Sequence, residues 1–126
     1  MSLVDQLKFD DKGLVSAVIF DAATNEPLVL CYLDREAVEK TLETGFVHVF
    51  RRSKGRMMLK GETSGHTQKV VDVFVNCDLN SLAIKIEQKV AACHLGYFSC
   101  YFRRYNADSD ELEIVAERIF DPDKVY

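Results

Sequence analysis

Three of the chain's four cysteines lie in the stretch from Asn76 to Arg103, at Cys77, Cys93 and Cys100, and His94 directly follows the second of them. Soft thiolates gathered with an imidazole are the donor set that zinc takes. The stretch has no close C-x2-C pair, so its spacing is not that of a zinc finger or ribbon. A structural site closes four protein ligands around the metal, whereas a catalytic site holds three and leaves the fourth position to water. Three cysteines beside a histidine that need not ligate fit the open kind. Burial in a core competes with this reading, because cysteine is among the residue types most often found inside. Spacing alone leaves both open.

The surroundings bear on the choice. No apolar run approaches the roughly 20 residues that span a bilayer, and Met1 does not open a basic segment followed by an apolar one, so no secretory signal is expected. A cytosolic chain keeps its thiols reduced, which turns cysteines towards metal or catalysis rather than disulfides. With 126 residues, 48% hydrophobic and 29% charged, the expectation is one folded domain over residues 1–126. The net charge of −4 argues against a broad nucleic-acid surface.

The rest of the chain reads as strands with few helices. Leu14–Phe20 and Leu28–Leu33 are apolar runs around a turn that ends in Pro27, a hairpin whose second strand is expected to be buried on both faces. Cys31 sits in that run with no polar neighbour and is read as core. Asp34 is the expected N-cap and Gly45 the terminator of a helix over 35–44, with Ala37, Val38, Thr41 and Leu42 on its inner face. Further strands are expected at Phe46–Phe50, Thr67–Val75, Leu82–Gln88, Tyr101–Tyr105 and Glu111–Ala116, followed by an irregular tail. The fold class is therefore α+β, mostly antiparallel sheet with few helices. His48, flanked by apolar neighbours, reads as structural.

Between the third and fourth strands the composition changes. Arg51, Arg52, Lys54, Arg56 and Lys60 follow one another with no acid among them. Such a cluster in an acidic chain concentrates an anionic ligand, although a basic edge that discourages strand pairing has the same composition. The loop K-G-E-T-S-G follows at once, bringing Glu62, Thr63, Ser64 and Gly65. Glycines and hydroxyls of this kind let backbone N–H groups approach a phosphate.

Taken in order, L-E-T-G (Leu42 to Gly45), R-R-S-K-G (Arg51 to Gly55), K-G-E-T-S-G-H (Lys60 to His66), N-C-D-x-N (Asn76 to Asn80) and A-C-H-x-G-x-x-S-C-x-x-R (Ala92 to Arg103) resemble the phosphoribosyl-AMP cyclohydrolase family. The resemblance implies a cytosolic homodimer with zinc at the interface, held by Cys77 of one protomer and Cys93 and Cys100 of the other. It implies a phosphorylated nucleotide substrate, with Arg51, Arg52, Lys54, Lys60, the K-G-E-T-S-G loop and Arg103 as binding residues, and neither nucleic acid nor membrane as partner. It also implies a magnesium site in the turn before the second zinc-ligand segment, where the family carries D-C-D-x-D. Here those positions are Asn76, Asp78 and Asn80, so the formal ligand charge falls from three to one and the magnesium site is expected to be weakened. Met58 stands where the family usually has tryptophan, and Ser16 where it usually has proline.

The implied reaction is hydrolytic opening of the N1–C6 bond of an N1-ribosylated adenine ring in histidine biosynthesis, with His94 as the residue that takes the proton from water. Two other outcomes compete: a divergent paralogue that keeps fold and zinc but acts on another purine-like nucleotide, and a zinc-stapled dimeric binding module without chemistry.

Overall fold

A computed structural model describes residues 2–125. The chain opens on a single helical turn, α1 (Leu3–Gln6), capped by Ser2. There follow β1 (Leu14–Asp21), β2 (Pro27–Asp34), α2 (Arg35–Thr44), β3 (His48–Arg51), β4 (Arg56–Leu59), β5 (Gln68–Val75), β6 (Ser81–Gln88), β7 (Arg103–Asn106) and β8 (Glu111–Ile114), and a 3-10 turn at Pro122–Lys124. The architecture is α+β with mostly antiparallel pairing, as expected. Four strands form the main sheet in the order β2-β1-β6-β5, while β3–β4 and β7–β8 are separate two-stranded ribbons.

One pairing departs from a wholly antiparallel sheet. β1 runs parallel to β6, with Ser16 opposite Ser81, Val18 opposite Ala83 and Phe20 opposite Lys85. These two strands form the centre of the sheet, and β2 and β5 flank them antiparallel. Parallel neighbours need a long crossover rather than a tight turn. Everything from β2 through β5, including α2 and the β3–β4 ribbon, lies in that crossover.

One face of the sheet carries the core. Val15, Ala17, Ile19, Leu82, Ile84 and Ile86 are buried there with Ala37 and Val38 of α2 and with Val47 and Val49. Full burial of each aliphatic side chain is worth about 1.5–3 kcal/mol, so the strict alternation along β6 fixes which face turns inward. β2 is not buried on both faces: Leu28 and Leu33 are inside, but Leu30 is 47% exposed. It is an edge strand, and its outer row has no covering element. Leu42 is also 47% exposed, so the inner stripe of α2 is narrower than its sequence suggests.

The ends of α2 follow the sequence. The Asp34 carboxylate accepts from the Ala37 N–H at 2.8 Å, and the Gly45 N–H donates to the Thr41 carbonyl at 3.0 Å. Thr41 does a second task. Its hydroxyl, 2% exposed, donates to the Ala37 carbonyl at 2.7 Å and accepts the His48 N–H at 2.9 Å, tying helix to β3. Thr41→Val keeps the shape but leaves that part-buried N–H without its acceptor. We expect a loss of about 1–3 kcal/mol in urea unfolding, whereas Thr44→Val, on the exposed side of the same helix, should change stability by less.

Candidate functional site

A cleft of about 1030 Å³ opens between β2, the β3–β4 ribbon, the K-G-E-T-S-G loop, the segment around Cys93 and the C-terminal tail. Arg51, Arg52, Lys54, Lys60, Glu62, Thr63, Ser64, His94 and Cys100 all line it. The structure thus brings the basic run, the hydroxyl loop, one cysteine and the histidine to one place. Gly65 and Arg103 are not among its lining residues. Arg103 lies outside, its guanidinium 4.4 Å from the centre of the Phe102 ring.

Each wall has a local cause. The loop after β4 is wound so tightly that a Cβ on Gly61 would meet the His66 backbone at 2.5 Å, and Gly61 takes a φ of +87°. The Gly65 N–H closes the loop onto the Gly61 carbonyl at 2.8 Å, and the Ser64 hydroxyl accepts the His66 N–H at 3.1 Å. Among the bases, Arg52 packs over the Tyr32 ring at 4.4 Å. Arg56 points elsewhere and pairs with Glu62 at 3.4 Å, leaving Arg51, Arg52, Lys54 and Lys60 as the cationic lining from the run.

The sequence reading missed several walls. Arg118, Pro122 and Asp123 of the tail line the cleft, as does His66, whose Nδ1 is buried without a hydrogen-bond partner among the described residues. The tail is held by backbone and by ring contacts, the Phe120 ring meeting His66 edge-on at 4.8 Å and the Arg118 guanidinium lying 5.8 Å from the centre of the Tyr97 ring. The Ile119 N–H donates to the Gly96 carbonyl at 2.7 Å, and a Cβ on Gly96 would meet the Phe120 carbonyl at 2.5 Å. The glycine in the C-H-L-G segment was the available signal, because close backbone approach is a reason for glycine. Met58, 9% exposed on β4, also faces the cleft.

The four thiols have different settings. Cys93 is buried, its sulfur accepting the Leu95 N–H at 3.4 Å, and Cys100 lies within its hydrogen-bonding reach. Burial first, then the neighbouring Cys93, push the Cys100 thiol up to about 11, and Lys60 acts the other way. Cys31, read from the sequence as core, packs against the core on one side and lines the cleft on the other. Burial pushes its thiol up to about 12. Cys77 is exposed in the turn between β5 and β6.

That turn is far from the cysteine pair. It precedes Ser81, which pairs with Ser16 near the start of β1, while the Cys100 N–H is bonded to the carbonyl of Leu28, which lies opposite the last residues of β1. The run from Ser81 to Ile86 alone covers about 17 Å at about 3.3 Å per residue. Among the described residues no group of three or more His, Cys, Asp or Glu side chains is arranged to hold a metal ion. Cys93 and Cys100 fit two positions of a zinc site, a soft-donor pair beside a cation, and a single chain supplies no third.

The turn is closed by its own amides. Asn76 Oδ1 accepts the N–H groups of Asn80 and Ser81 at 3.0 and 2.9 Å, and Asn76 Nδ2 donates to Asn80 Oδ1 at 2.6 Å. Both side-chain oxygens are engaged, and Asp78 is the turn's one carboxylate. This donor set does not fit magnesium, which favours carboxylates and water.

Thiolate, not thiol, is the nucleophile in alkylation. In metal-free protein a maleimide should therefore label Cys77 first, Cys100 later and Cys31 last. Raising the pH towards 11 should release Cys100 before Cys31, since the folded state keeps both thiols protonated through the range where a free thiol ionises. Peptide mapping after limited labelling reads this order.

Comparison with known proteins bears on the whole constellation. The phosphoribosyl-AMP cyclohydrolase family model matches residues 29–102, from β2 through the Cys100 segment. A phosphoribosyl-AMP cyclohydrolase of Methanosarcina barkeri is 48% identical over 97% of this chain and 90% of its own length. Another, of Methanococcoides burtonii, is 44% identical over 98% of each. A histidine biosynthesis bifunctional protein of Thermoanaerobacter pseudethanolicus is 43% identical over 99% of this chain, which spans 57% of that relative's length. Likeness of this degree runs through the basic strand, the hydroxyl loop and both cysteine segments, and the chain therefore belongs to the phosphoribosyl-AMP cyclohydrolase family of histidine-biosynthesis enzymes.

Proposed function

We propose that the chain opens the adenine ring of 1-(5-phosphoribosyl)-AMP by hydrolysis at the N1–C6 bond, in the cleft beside Cys100, with zinc shared between two protomers. The observation that carries this reading is the convergence of four bases, a hydroxyl loop, His94 and a cysteine on one cleft. A substrate with phosphates at both ends needs cations separated by room for a base, and a cleft of about 1030 Å³ provides it.

Cys93 and Cys100 of one protomer and Cys77 of its partner would hold the metal. When bound, zinc supplies a Lewis acid and brings the pKa of water towards neutrality. The protein's residues do the remainder. Arg51, Arg52, Lys54 and Lys60 anchor the phosphates through charge-assisted hydrogen bonds, and Arg52 is steadied for this by the Tyr32 ring. Thr63 and Ser64 face the cleft from the loop that Gly61 curls. Met58 offers a flexible, polarizable apolar surface for the base. An imidazole nitrogen of His94 takes a proton as water adds at C6, and the N1–C6 bond then breaks with a proton delivered to the departing N1.

Ring opening followed by absorbance, with and without a zinc chelator, tests the reaction. Charge-assisted contacts are worth about 1.5–3 kcal/mol each. Alanine at an anchoring base among Arg51, Arg52, Lys54 and Lys60 should therefore raise KM about tenfold or more. Arg56→Ala, which loses an exposed pair with Glu62 and an exposed hydrogen bond to the Met57 carbonyl, should leave KM nearly unchanged.

Magnesium should matter little. With its side-chain oxygens already engaged, the Asn76–Asn80 turn should bind Mg2+ weakly by calorimetry, and added Mg2+ should not raise the rate. Asn76→Asp with Asn80→Asp should bind it, and should lower stability until it is added, because carboxylates at hydrogen-bonding distance repel. Tight binding by the unaltered protein would overturn this.

A further inference from the structure

The cleft draws its cations from two different walls. Arg51, Arg52, Lys54 and Lys60 come from the β3–β4 ribbon and its end, whereas Arg118 comes from the tail. Only the first set lies within residues 29–102, the span that the family model matches. Arg118 is exposed, yet it is held in place. Its backbone runs between two fixed points: the Val115 N–H donates to the Phe102 carbonyl at 2.9 Å, and the Ile119 N–H to the Gly96 carbonyl at 2.7 Å. Its stem crosses Gly96, where an added Cβ would come within 3.3 Å of its Cγ. Its guanidinium stands 5.8 Å from the centre of the Tyr97 ring, which is itself buried and stacked on Phe102 at 3.8 Å. Among the described residues no carboxylate lies within ion-pairing distance of that guanidinium; Glu62 of the same cleft pairs with Arg56 instead.

We infer that Arg118 is a further substrate-binding residue, the anchor for one phosphate of a doubly phosphorylated nucleotide, while the turn of the β3–β4 ribbon anchors the other. This rests on the ring-opening reading above and names the residue that serves one end of the substrate. A ligand with phosphates at both ends needs two cationic places, separated by room for sugar and base. Arg51, Arg52 and Lys54 gather at the ribbon turn and make one of them. The other lies at the cysteine end. Lys60 stands at the far end of the ribbon from that turn, near enough to Cys100 to oppose the rise of its pKa. Arg118 sits on the turn that holds Cys93, which is closed by the Gly96 N–H on the Cys93 carbonyl and the Cys93 N–H on the Tyr97 carbonyl, each at 3.1 Å. A guanidinium brings what a single ammonium lacks, a planar fork that takes two oxygens of one phosphate. Packed over a ring and free of carboxylates, this one loses little further freedom when it binds.

The test removes the charge and keeps the packing. Arg118→Met retains a stem that can cross Gly96, and Arg118→Lys retains the charge without the fork. Lys124→Met, on the same tail but outside the cleft lining, is the control. Ring opening of 1-(5-phosphoribosyl)-AMP gives KM and kcat, and calorimetry with AMP and with ribose 5-phosphate gives the affinity for each phosphorylated half. For Arg118→Met the expected result is KM raised about tenfold or more with kcat nearly unchanged. Affinity should fall for one half alone, with partial rescue by Arg118→Lys, and Arg52→Ala should weaken the other half. Unchanged KM in Arg118→Met overturns the inference, as does a loss that falls equally on both halves, which is what a loosened tail would give. Should the halves bind too weakly to titrate, the salt dependence of KM decides: it falls in Arg118→Met when a phosphate contact is lost and stays the same when only the packing is loosened. A parent that opens no ring yet binds both halves, one of them weakened by Arg118→Met, removes the proposed reaction and leaves the anchor standing. A parent that binds neither half and opens no ring overturns both.

Discussion

The parallel pairing of β1 with β6 is the constraint on which the remaining structure depends. It sets the turn before β6 at the start of β1 and the segment after β6 at the opposite end. Because β6 runs its full length between them, Cys77 and the Cys93–Cys100 pair stand at opposite ends of the sheet. The direction of β6 decides which end is which: it sets the Cys93–Cys100 segment beside Leu28 of β2 and the Cys77 turn at the start of β1. It also sends α2 and the β3–β4 ribbon over one face, since the crossover returns on that side.

The cleft is a composite of pieces that are individually ordinary. A ribbon of two four-residue strands and its turn supplies charge, a curled loop supplies hydroxyls, and the docked tail supplies the far wall. Their junctions depend on close contact rather than on large buried area: Gly61 under the His66 backbone, Gly96 under Phe120, and the Cys100 N–H on the Leu28 carbonyl. Lys60 links the parts electrostatically. It lowers the cost of ionising both Cys31 and Cys100 while lining the space assigned to an anion.

Much of this could be read from the residues. Asp34 and Gly45 mark the ends of α2 because capping is local chemistry, and β6 declares its inner face by alternation. The grouping of the basic run with the K-G-E-T-S-G loop follows from adjacency in sequence. What could not be read is non-local. Nothing in the β1 or β6 sequence states a parallel partner, and Leu28–Leu33 is apolar throughout although the sheet leaves Leu30 in the open. Arg118 and Asp123 fall in an irregular tail, and the docking of that tail on Gly96, His66 and Tyr97 brings them to the cleft. The short β4 has two methionines and an arginine, a composition without strand signal.

The Asn76–Asn80 pair has one more consequence. A turn drawn together by a divalent cation has a shape that depends on the supply of that cation and on competing counterions. Here the closure is made by uncharged amides and backbone N–H groups, with the Lys8 N–H bracing the Leu79 carbonyl at 2.7 Å from outside. Dipoles at contact distance are barely screened by dissolved ions. The conformation of the loop that carries Cys77 is therefore set apart from ionic strength, and salt acts instead on the cationic cleft and on exposed pairs such as Arg35–Asp5.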